Sequence, residues 1–449
     1  MATTRIYRTP SSASAGTKWT VSMWIKGGAT SANQILFSAA GASPFEFRTY
    51  VELSSTGILN FGNVDNGNGA GSLATSRVFK DPSAWYHLVF VWDNANATSA
   101  DKMIIYVNGV RETAVTYTAP TTNSNWNKGI LTEIGSRHGG DRYFSGEMSH
   151  VHNCDGYAYS ASDFGETDST SGIWKIKTSP SVTYGTNGFF LKMEDRTNLD
   201  LDSSSNAHTF TTSGDLTATY DNPSNNFCTM NPLDNFYCNA TLTNGNTRVV
   251  TTSAEYGYIT GTLGAAASKW YWEMLMEDPV DSTNYVGFGI TGRAPQSADG
   301  LGYEASGIAY QGNDGKIRDS GTTTTYGNTY TTNDIIGIAM DLDNSKLYVS
   351  KNGVWQNSGV PTSGATGTGA HSISTAVAST VDGVYRPAVS DHAGSSWTNA
   401  TFQYNFGNGY FKTDLIASPE ADDAGIGAFK YNVPAGFYAL CTKNIKAYG

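Results

Sequence analysis

The sequence has few cysteines, few charged residues and no long apolar run. Its four cysteines, Cys154, Cys228, Cys238 and Cys441, lack CxxC spacing, and they are too few for a disulfide framework at this length. We therefore expect free thiols, as in a reducing compartment. No window approaches 18 consecutive apolar residues, which argues against membrane insertion. The start, MATTRIYRTPSSASAG, lacks the apolar segment of a secretory signal.

Charge of positive sign is also scarce. Lys plus Arg number 28 against 39 Asp plus Glu, so the formal net charge is −11. No run of basic residues offsets this balance locally. Because nucleic-acid binding depends on neutralising phosphates with cations, we expect no nucleic-acid partner.

Amphipathic helices are missing from the pattern as well, apart from short turns. Gly (49), Tyr (26) and many Thr, Ser and Asn residues fill the chain instead, and short strand signals alternate with polar turns, which is typical of an all-β protein. In WYHLVFVWD, Leu88, Phe90 and Trp92 point to one face and Val89 and Val91 to the other. A strand covered on both faces predicts the centre of a sandwich.

One phrase occurs twice, as MIIYVNGVRE at 103–112 and KLYVSKNGVW at 346–355. In each case a buried strand ends at an Asp, a turn follows, and a second strand runs back into Asn-Gly. Asn-Gly supplies the positive φ angles of a tight hairpin. The phrase predicts equivalent hairpins in two sandwiches, although Asn-Gly hairpins are common and two can arise by chance.

The rhythm of the chain predicts two domains joined by a polar stretch. We place a first sandwich at 1–196, an irregular connecting segment at 197–250, and a second sandwich with a C-terminal extension at 251–449. The segment 155–177 is the best place for a short helix, capped by Ser160 or Ser162.

The first half resembles a known family. TKWTVSMWIK, AWYHLVFVWD, KMIIYVNGV and EIGSRHGGDRYFSGEMSHVHNCDGYAYSASDF follow the order of the laminin-G-like and pentraxin-like branch of concanavalin A-like lectin sandwiches, over about residues 15–165. The resemblance implies a jelly-roll sandwich. That branch often binds calcium at the sheet rim, but no matching carboxylate set can be assigned here, so the metal stays unknown and no other cofactor is expected.

The second half resembles a SPRY domain over about residues 266–410. The supporting stretches are KWYWEMLME, NYVGFGIT, DIIGIAMDLDNSKLYVSKNGVW, YRPAVS and ATFQYNFG. Since a SPRY domain is also a concanavalin A-like sandwich in its strand layout, the resemblance implies two diverged copies of one architecture.

A third resemblance covers about residues 160–235 and 433–445. SASDFGETDSTSGIWKIK, YGTNGFFLKMED, DLDSSSNAHTF, NPSNNFCTMNPLD and VPAGFYALCTKNI are similar to segments of virion proteins from tailed phages of marine bacteria. It implies a non-enzymatic virion protein, made in the host cytoplasm and displayed on the particle as a tail fibre, receptor-binding protein or capsid decoration. Partners would be other virion proteins, further copies of the chain in a homotrimer, and host-surface polysaccharide.

Two alternatives stay open. One is a carbohydrate-binding adhesin of a bacterial cell surface, and the other is a polysaccharide-degrading enzyme. For the enzyme, Glu273 and Glu277 could form a carboxylate pair, but residues i and i+4 of a strand lie roughly 13 Å apart. A retaining glycosidase needs roughly 5 to 5.5 Å, so we assign no catalytic residue.

Three loops could hold ions or phosphate. DLDNSK (341–346) and DLDSSSN (200–206) begin like calcium loops but lack the Gly and Glu of an EF-hand. We expect the first to be a turn and leave an ion site open at the second. GNGAGS (67–72) lacks the Lys of a phosphate loop, and we expect a flexible turn.

A ligand site should lie on loops at a sandwich rim. Sugar binding needs an aromatic face beside hydrogen-bonding groups. Two loops offer this combination, SRHGGDRY with His138, Asp141, Arg142 and Tyr143, and DHAGSSWTN with His392, Trp397 and Asn399. The alternative for each is ordinary loop packing or an oligomer contact.

Overall fold

The structure is a computed structural model that describes residues 3–28, 32–41, 46–235, 237–251, 257–279, 285–391 and 400–449. The chain divides into two compact units, Met1–Ala218 and Thr219–Gly449. The connecting segment predicted at 197–250 is shared between these units. This division differs from the predicted one because short strands inside that segment pair within the sheet of one unit or the other.

The first unit is built from antiparallel strands, in agreement with the predicted all-β class. Within its described residues the strands are β1 (Arg5–Arg8), β2 (Lys18–Gly27), β3 (Gln34–Ala40), β4 (Arg48–Leu53), β5 (Ile58–Asp65), β6 (Asn68–Val78), β7 (Trp85–Asp93), β8 (Met103–Val107), β9 (Val110–Arg111), β10 (Val115–Thr118), β11 (Leu131–Ile134), β12 (Gly146–Asp155), β13 (Gly165–Thr167), β14 (Trp174–Ile176), β15 (Phe189–Leu191) and β16 (Thr211–Ser213).

Two sheets of the first unit enclose its core. The first hairpin sheet has the strand order β15-β12-β2-β7-β8-β9, and the first opposing sheet has the order β10-β6-β5-β4-β3-β11-β1-β16. Leu88, Phe90 and Trp92 of β7 lie in the core between them, whereas Val89 and Val91 pack on the other side of β7. The predicted two-sided burial of this strand is confirmed.

Tryptophans fill the centre of this core. Trp19 and Trp92 stack with ring centroids 6.3 Å apart. The indole N–H of Trp19 donates to Ser124 Oγ at 2.6 Å, and that of Trp126 donates to Asn153 Oδ1 at 2.8 Å. Buried indoles need such acceptors, so these bonds hold the residues around Trp126 inside the sandwich.

The second unit is also β-rich. Within its described residues the strands are β17 (Thr241–Thr243), β18 (Arg248–Val250), β19 (Tyr258–Thr260), β20 (Lys269–Asp278), β21 (Val286–Thr291), β22 (Gly307–Gln311), β23 (Lys316–Asp319), β24 (Thr322–Thr325), β25 (Ile335–Asp341), β26 (Lys346–Lys351), β27 (Val354–Trp355), β28 (His371–Ser372), β29 (Arg386–Asp391), β30 (Thr401–Asn405), β31 (Tyr410–Phe411), β32 (Asp414–Leu415), β33 (Glu420–Ala421), β34 (Ala428–Phe429) and β35 (Tyr438–Ala439).

Two main sheets form this second sandwich. The second hairpin sheet has the order β17-β18-β30-β20-β25-β26-β27, with β28 on β26 and β35 parallel to β20, and the second opposing sheet has the order β19-β29-β21-β22-β23-β24. Phe288 of β21 meets Tyr404 of β30 with ring centroids 5.5 Å apart. The run β2-β7-β8-β9 in the first unit therefore has its counterpart in β20-β25-β26-β27 in the second.

Helices are short. In the described residues the 3-10 turns are Ser99–Asp101, Ala161–Asp163, Pro232–Asp234, Gln356–Ser358, Pro361–Thr366 and Val377–Ser379, and the α-helix is α1 (Thr442–Tyr448). The predicted helix at 155–177 is the single turn Ala161–Asp163, where Ser160 N and Oγ both donate to the Asp163 carboxylate at 2.7 and 2.8 Å. None of the described helices is long and apolar enough to cross a bilayer.

In each unit, the outer face of the hairpin sheet is covered by a later segment of the chain. That segment follows the last long strand of the sheet. The first cover segment, residues 157–184, packs Ala161 and Phe164 against Val89 and Val91. The second cover segment, residues 420–441, packs Phe429 and Phe437 against Tyr271 and Tyr348 of β20 and β26.

The two ends of the second unit meet. Phe227 forms a β-bridge with Cys441, Cys228 N donates to Leu440 O at 2.9 Å, and Thr442 N donates to Asn226 O at 2.9 Å. The second cover segment is thereby fixed to the start of its own unit.

Candidate functional site

The candidate site lies on the outer face of the first opposing sheet. It is bordered on one side by the predicted loop 136–143, which connects β11 to β12. Glu133 at the end of β11 is fully buried. Its carboxylate pairs with Arg5 and accepts from Ser136 Oγ and Gly139 N, both at 3.2 Å. Ser38 Oγ also donates to Ser136 O, at 3.0 Å. The loop is therefore an ordered structure folded against the sheet.

The predicted residues of this loop have internal partners. Asp141 forms an ion pair with Arg137. Arg142 forms an ion pair with Glu52 of β4, and its carbonyl accepts from Ile35 N at 2.8 Å. These contacts fix the loop against β3 and β4.

His138 and Tyr143 complete the predicted set in this loop. Both are partly exposed. A Cβ added at Gly140, where φ is +86°, would meet the Tyr143 hydroxyl, so the Tyr143 ring packs over that glycine. Their role in binding stays a prediction, as does that of Asp141 and Arg142.

The second predicted loop, with His392, Trp397 and Asn399, lies outside the described residues. Its part in a ligand site also stays a prediction.

Tyr50 is the aromatic residue that the sequence reasoning missed. It lies on β4 opposite Gly62 of β5, and a Cβ built at Gly62 would be only 2.7 Å from Tyr50 Cζ. The hydroxyl end of the ring therefore lies against this glycine, in the space that a Cβ would fill. Because the neighbouring Val51 belongs to the core and strand residues alternate between faces, Tyr50 faces outward, where it is half-buried.

Charged side chains surround this ring. The Arg48 guanidinium carbon lies 5.6 Å from the ring centroid, within reach of a cation–π contact. Burial raises the pKa of the Tyr50 hydroxyl, Glu52 adds to that rise, and Arg48, Arg142 and Arg137 oppose it. Loop and strand residues thus meet at Tyr50, and we call this surface the Tyr50 platform, made of Tyr50, Gly62, Arg48, Glu52, Arg137 and Arg142.

A second arginine–tyrosine contact lies on the same sheet face. The Arg5 guanidinium carbon is 4.5 Å from the Tyr7 ring centroid. The alternation Arg48, Tyr50, Glu52 against Thr49, Val51, Leu53 was the available signal for the Tyr50 platform. This alternation assigns one outward face to β4, and Tyr50 lies on that face of the strand, not in a loop.

The carboxylates considered for catalysis are structural. Glu273 is fully buried and accepts from Lys430 N at 2.8 Å, Tyr431 N at 2.9 Å, Tyr271 Oη at 3.1 Å and Asn405 Nδ2 at 3.2 Å. Burial raises the pKa of Glu273 to about 7. Glu277 instead pairs with Arg248, at 2.9 Å. Glu273 therefore anchors the second cover segment.

The two acidic loops are turns. Asp341 accepts from Asn344 N at 3.0 Å and pairs with Lys269. Asp202 accepts from Phe190 N, Ser204 N and His208 N at 2.8–2.9 Å, so backbone amides occupy its carboxylate. The part of the chain that the structure describes holds no cluster of three or more His, Cys, Asp or Glu side chains arranged for a metal ion.

Part of GNGAGS is not the flexible turn that we expected. Asn68 already begins β6, which pairs with β5 and β10. The turn is confined to Asn66 and Gly67, at φ +48° and +75°.

The cysteines are unreactive in this fold. All four are buried and free, as predicted. Burial raises the pKa of Cys238 to about 12 and also raises the pKa of Cys154 and Cys441. Because the thiolate is the reactive form, these residues fill space.

Comparison with known proteins identifies the two domains. Residues 3–163 match the family model of the concanavalin A-like lectin/glucanases superfamily, of the laminin G type. Residues 269–407 match the SPRY domain model. The first unit therefore contains a concanavalin A-like domain and the second a SPRY domain, as predicted.

Solved structures with some similarity to this chain include a SPRY domain and a pentraxin. The SPRY domain of human HERC1 is 15% identical, with 37% of this chain and 91% of that chain covered and a TM-score of 0.29. A heptameric SAP-like pentraxin from Limulus polyphemus is 20% identical, with 42% and 86% covered and a TM-score of 0.29. The chain matches no curated protein sequence.

Proposed function

We propose that this chain is a non-enzymatic binding protein of a tailed-phage virion, and that the Tyr50 platform holds a host-surface glycan. The presence of a lectin-like and a SPRY domain supports a binding role. The observation that carries the proposal is the Tyr50 ring, which lies against Gly62 and is bordered by Arg48 and the Arg142–Glu52 ion pair.

The physical match to a sugar is direct. The C–H face of a sugar ring stacks on an aromatic ring, while its hydroxyl groups pair with polar side chains at the ring's edge. Gly62 has no side chain and so makes room for the Tyr50 ring against the sheet, and ion pairs hold Arg137 and Arg142. Preorganisation of this kind reduces the entropy lost on binding.

The virion assignment rests on the segments 160–235 and 433–445, which resemble virion proteins of marine phages. The chain would be displayed at the particle surface, on a tail fibre or as a capsid decoration, among other virion proteins. Edge strands such as β24 (Thr322–Thr325), which is exposed throughout, suit burial between copies of a homotrimer, since such edges otherwise invite aggregation.

Binding of host-surface polysaccharide by the purified full chain tests the glycan role. Tyr50→Ala should lower the affinity about tenfold, and Tyr50→Phe should keep most of it because the stacking face remains. The matched control is Tyr157→Ala, an exposed tyrosine of the first cover segment. Equal loss in Tyr50→Ala and Tyr157→Ala would contradict the site.

Immunogold labelling of purified particles tests the location. Label at the tail tip supports receptor binding, and label over the capsid supports decoration. A chain that is absent from particles but present on bacterial surfaces would instead be an adhesin.

A further inference from the structure

The Tyr50 platform differs in charge from the rest of the chain. The whole chain carries a formal charge of −11. Three arginines, Arg48, Arg137 and Arg142, stand around the Tyr50 ring against two carboxylates, Glu52 and Asp141. The local balance at this half-buried ring is therefore positive by one charge, in a chain that is acidic overall.

Hydrogen-bond acceptors on the platform are already occupied. The Glu52 carboxylate receives Arg142 and the Asn33 amide, the latter at 3.1 Å, and its side chain is only 11% exposed. Asp141 receives Arg137. A neutral sugar, whose hydroxyl groups donate as well as accept, would find few acceptors for its donors here.

Donors are more plentiful. A guanidinium group carries five N–H donors, and Arg142 reaches Glu52 through one nitrogen while its side chain stays 37% exposed. Its remaining donors stay open to a ligand beside the Tyr50 ring. Arginine matches planar and tetrahedral oxyanions well because its fork donates two parallel hydrogen bonds.

We propose that the glycan held on the Tyr50 platform carries an acidic group, a carboxylate or a sulfate, which binds beside the Tyr50 ring to the surrounding arginines. This inference rests on the proposed glycan role and names the class of sugar. Glu52 has a positioning role, since it aims Arg142 across the sheet face.

The test compares acidic and neutral probes on the full chain by isothermal titration. Alginate oligosaccharides are measured against the same oligosaccharides after carboxyl reduction, and cellulose sulfate against unsulfated cello-oligosaccharides. We expect the acidic member of at least one pair to bind about tenfold or more tighter, because hydrogen bonds to charged groups are the stronger ones. The preference should weaken as salt is raised.

Two variants locate the acidic group. Arg142→Gln removes the guanidinium donors but also leaves the Glu52 carboxylate without its ion-pair partner. It is therefore measured together with the double variant Glu52→Gln/Arg142→Gln. In both variants, the ratio of the affinity for the acidic probe to that for the neutral probe should fall about tenfold. Arg111→Gln is the matched control, since Arg111 is also paired with a carboxylate and is 38% exposed, but lies on β9 of the other sheet.

The outcomes separate the two proposals. A preference in the alginate pair alone assigns a carboxylate, and one in the cellulose pair alone assigns a sulfate. Equal binding of acidic and neutral probes, lost in Tyr50→Ala, overturns the acidic class and keeps the glycan role. Binding of no probe, neutral or acidic, contradicts both.

Discussion

Asn108 and Asn352 make the same two hydrogen bonds in two separate sandwiches. The backbone N–H of Asn108 donates to His87 O, and its side-chain oxygen accepts from His87 N, both at 2.8 Å. Asn352 does the same with Ile335, at 2.7 and 2.8 Å. The repeated phrase of the sequence therefore marks equivalent hairpins.

Removal of the Asn108 acceptor should destabilise the first unit. In Asn108→Ala the His87 amide loses its partner and alanine must adopt φ near +48°. We expect the free energy of unfolding to fall by about 1–3 kcal/mol. Asn108→Asp keeps the acceptor and tolerates this φ, so urea unfolding should place it near the wild type. Equal losses in both variants would contradict the assigned role.

The hairpin glycine is restricted by an aromatic ring as well as by its φ. A Cβ at Gly109 would lie 2.5 Å from the Trp174 ring, whereas one at Gly67 meets nothing within 4 Å, and both have positive φ. Gly67→Ala should cost about 1–2 kcal/mol from backbone strain alone. Gly109→Ala should cost more, because it also displaces Trp174. Thermal unfolding of the two variants measures the difference, and a smaller loss at Gly109 would be inconsistent with this packing.

His87 should make the first unit sensitive to acid. Trp174 Nε1 donates to His87 Nδ1 at 3.0 Å, which requires an unprotonated Nδ1, and burial lowers the pKa of His87 to about 3. A histidine depressed below its unfolded pKa of about 6.5 contributes stability above that pH, which is lost as the pH falls toward 3.

The measurement is the free energy of unfolding of wild type and His87→Gln between pH 7 and 4. The loss on acidification should be smaller in the variant. His138→Gln, in the partly exposed loop, is the control for replacing a histidine by glutamine outside the core. Identical slopes in all three proteins would refute the role of His87.

Glu273 should make the second unit less stable as the pH rises, which is opposite to the effect of His87 on the first unit. Because its folded pKa of about 7 lies above the ordinary value of 4.5 for a glutamate, the folded chain holds a proton that the unfolded chain releases between these pH values. The stabilising contribution is therefore complete below pH 4.5 and declines as the pH rises to 7, by an amount on the order of 3 kcal/mol at most.

Glu273→Gln removes this titration while keeping the shape of the side chain. We expect the variant to show a flatter dependence of unfolding free energy between pH 5 and 8 than the wild type. Glu277→Gln, at the paired surface carboxylate, serves as the comparison. A Glu273→Gln slope as steep as that of the wild type would exclude this carboxyl as the source.

Local pattern was sufficient for the fold class and the long strands. Alternation placed Leu88, Phe90 and Trp92 in the core, and Asn-Gly marked both hairpins. The strand β6 was not predicted, because Gly69 and Gly71 weaken its local strand pattern. The position of β6 in the sheet depends on its pairing with β5. The strands within 197–250 are three residues long, too short for any periodicity.

The site was predictable only in part. The loop 136–143 stood out through its polar residues, and the structure places it beside Tyr50. The joining of Arg142 to Glu52, 90 positions away, depends on strand register. So does the position of Tyr50 over Gly62, which no local pattern contains.

The closure of the second unit by Phe227 and Cys441 has a consequence for synthesis on the ribosome. The first unit has all its described strands once residue 213 has emerged and can fold while translation continues. The second must wait until residue 441 has emerged, because its starting segment pairs with Cys441 and the buried Glu273 accepts from Lys430 N. Until then Tyr271 and Tyr348 are uncovered, so a ribosome that stalls late would present an apolar surface to chaperones and proteases.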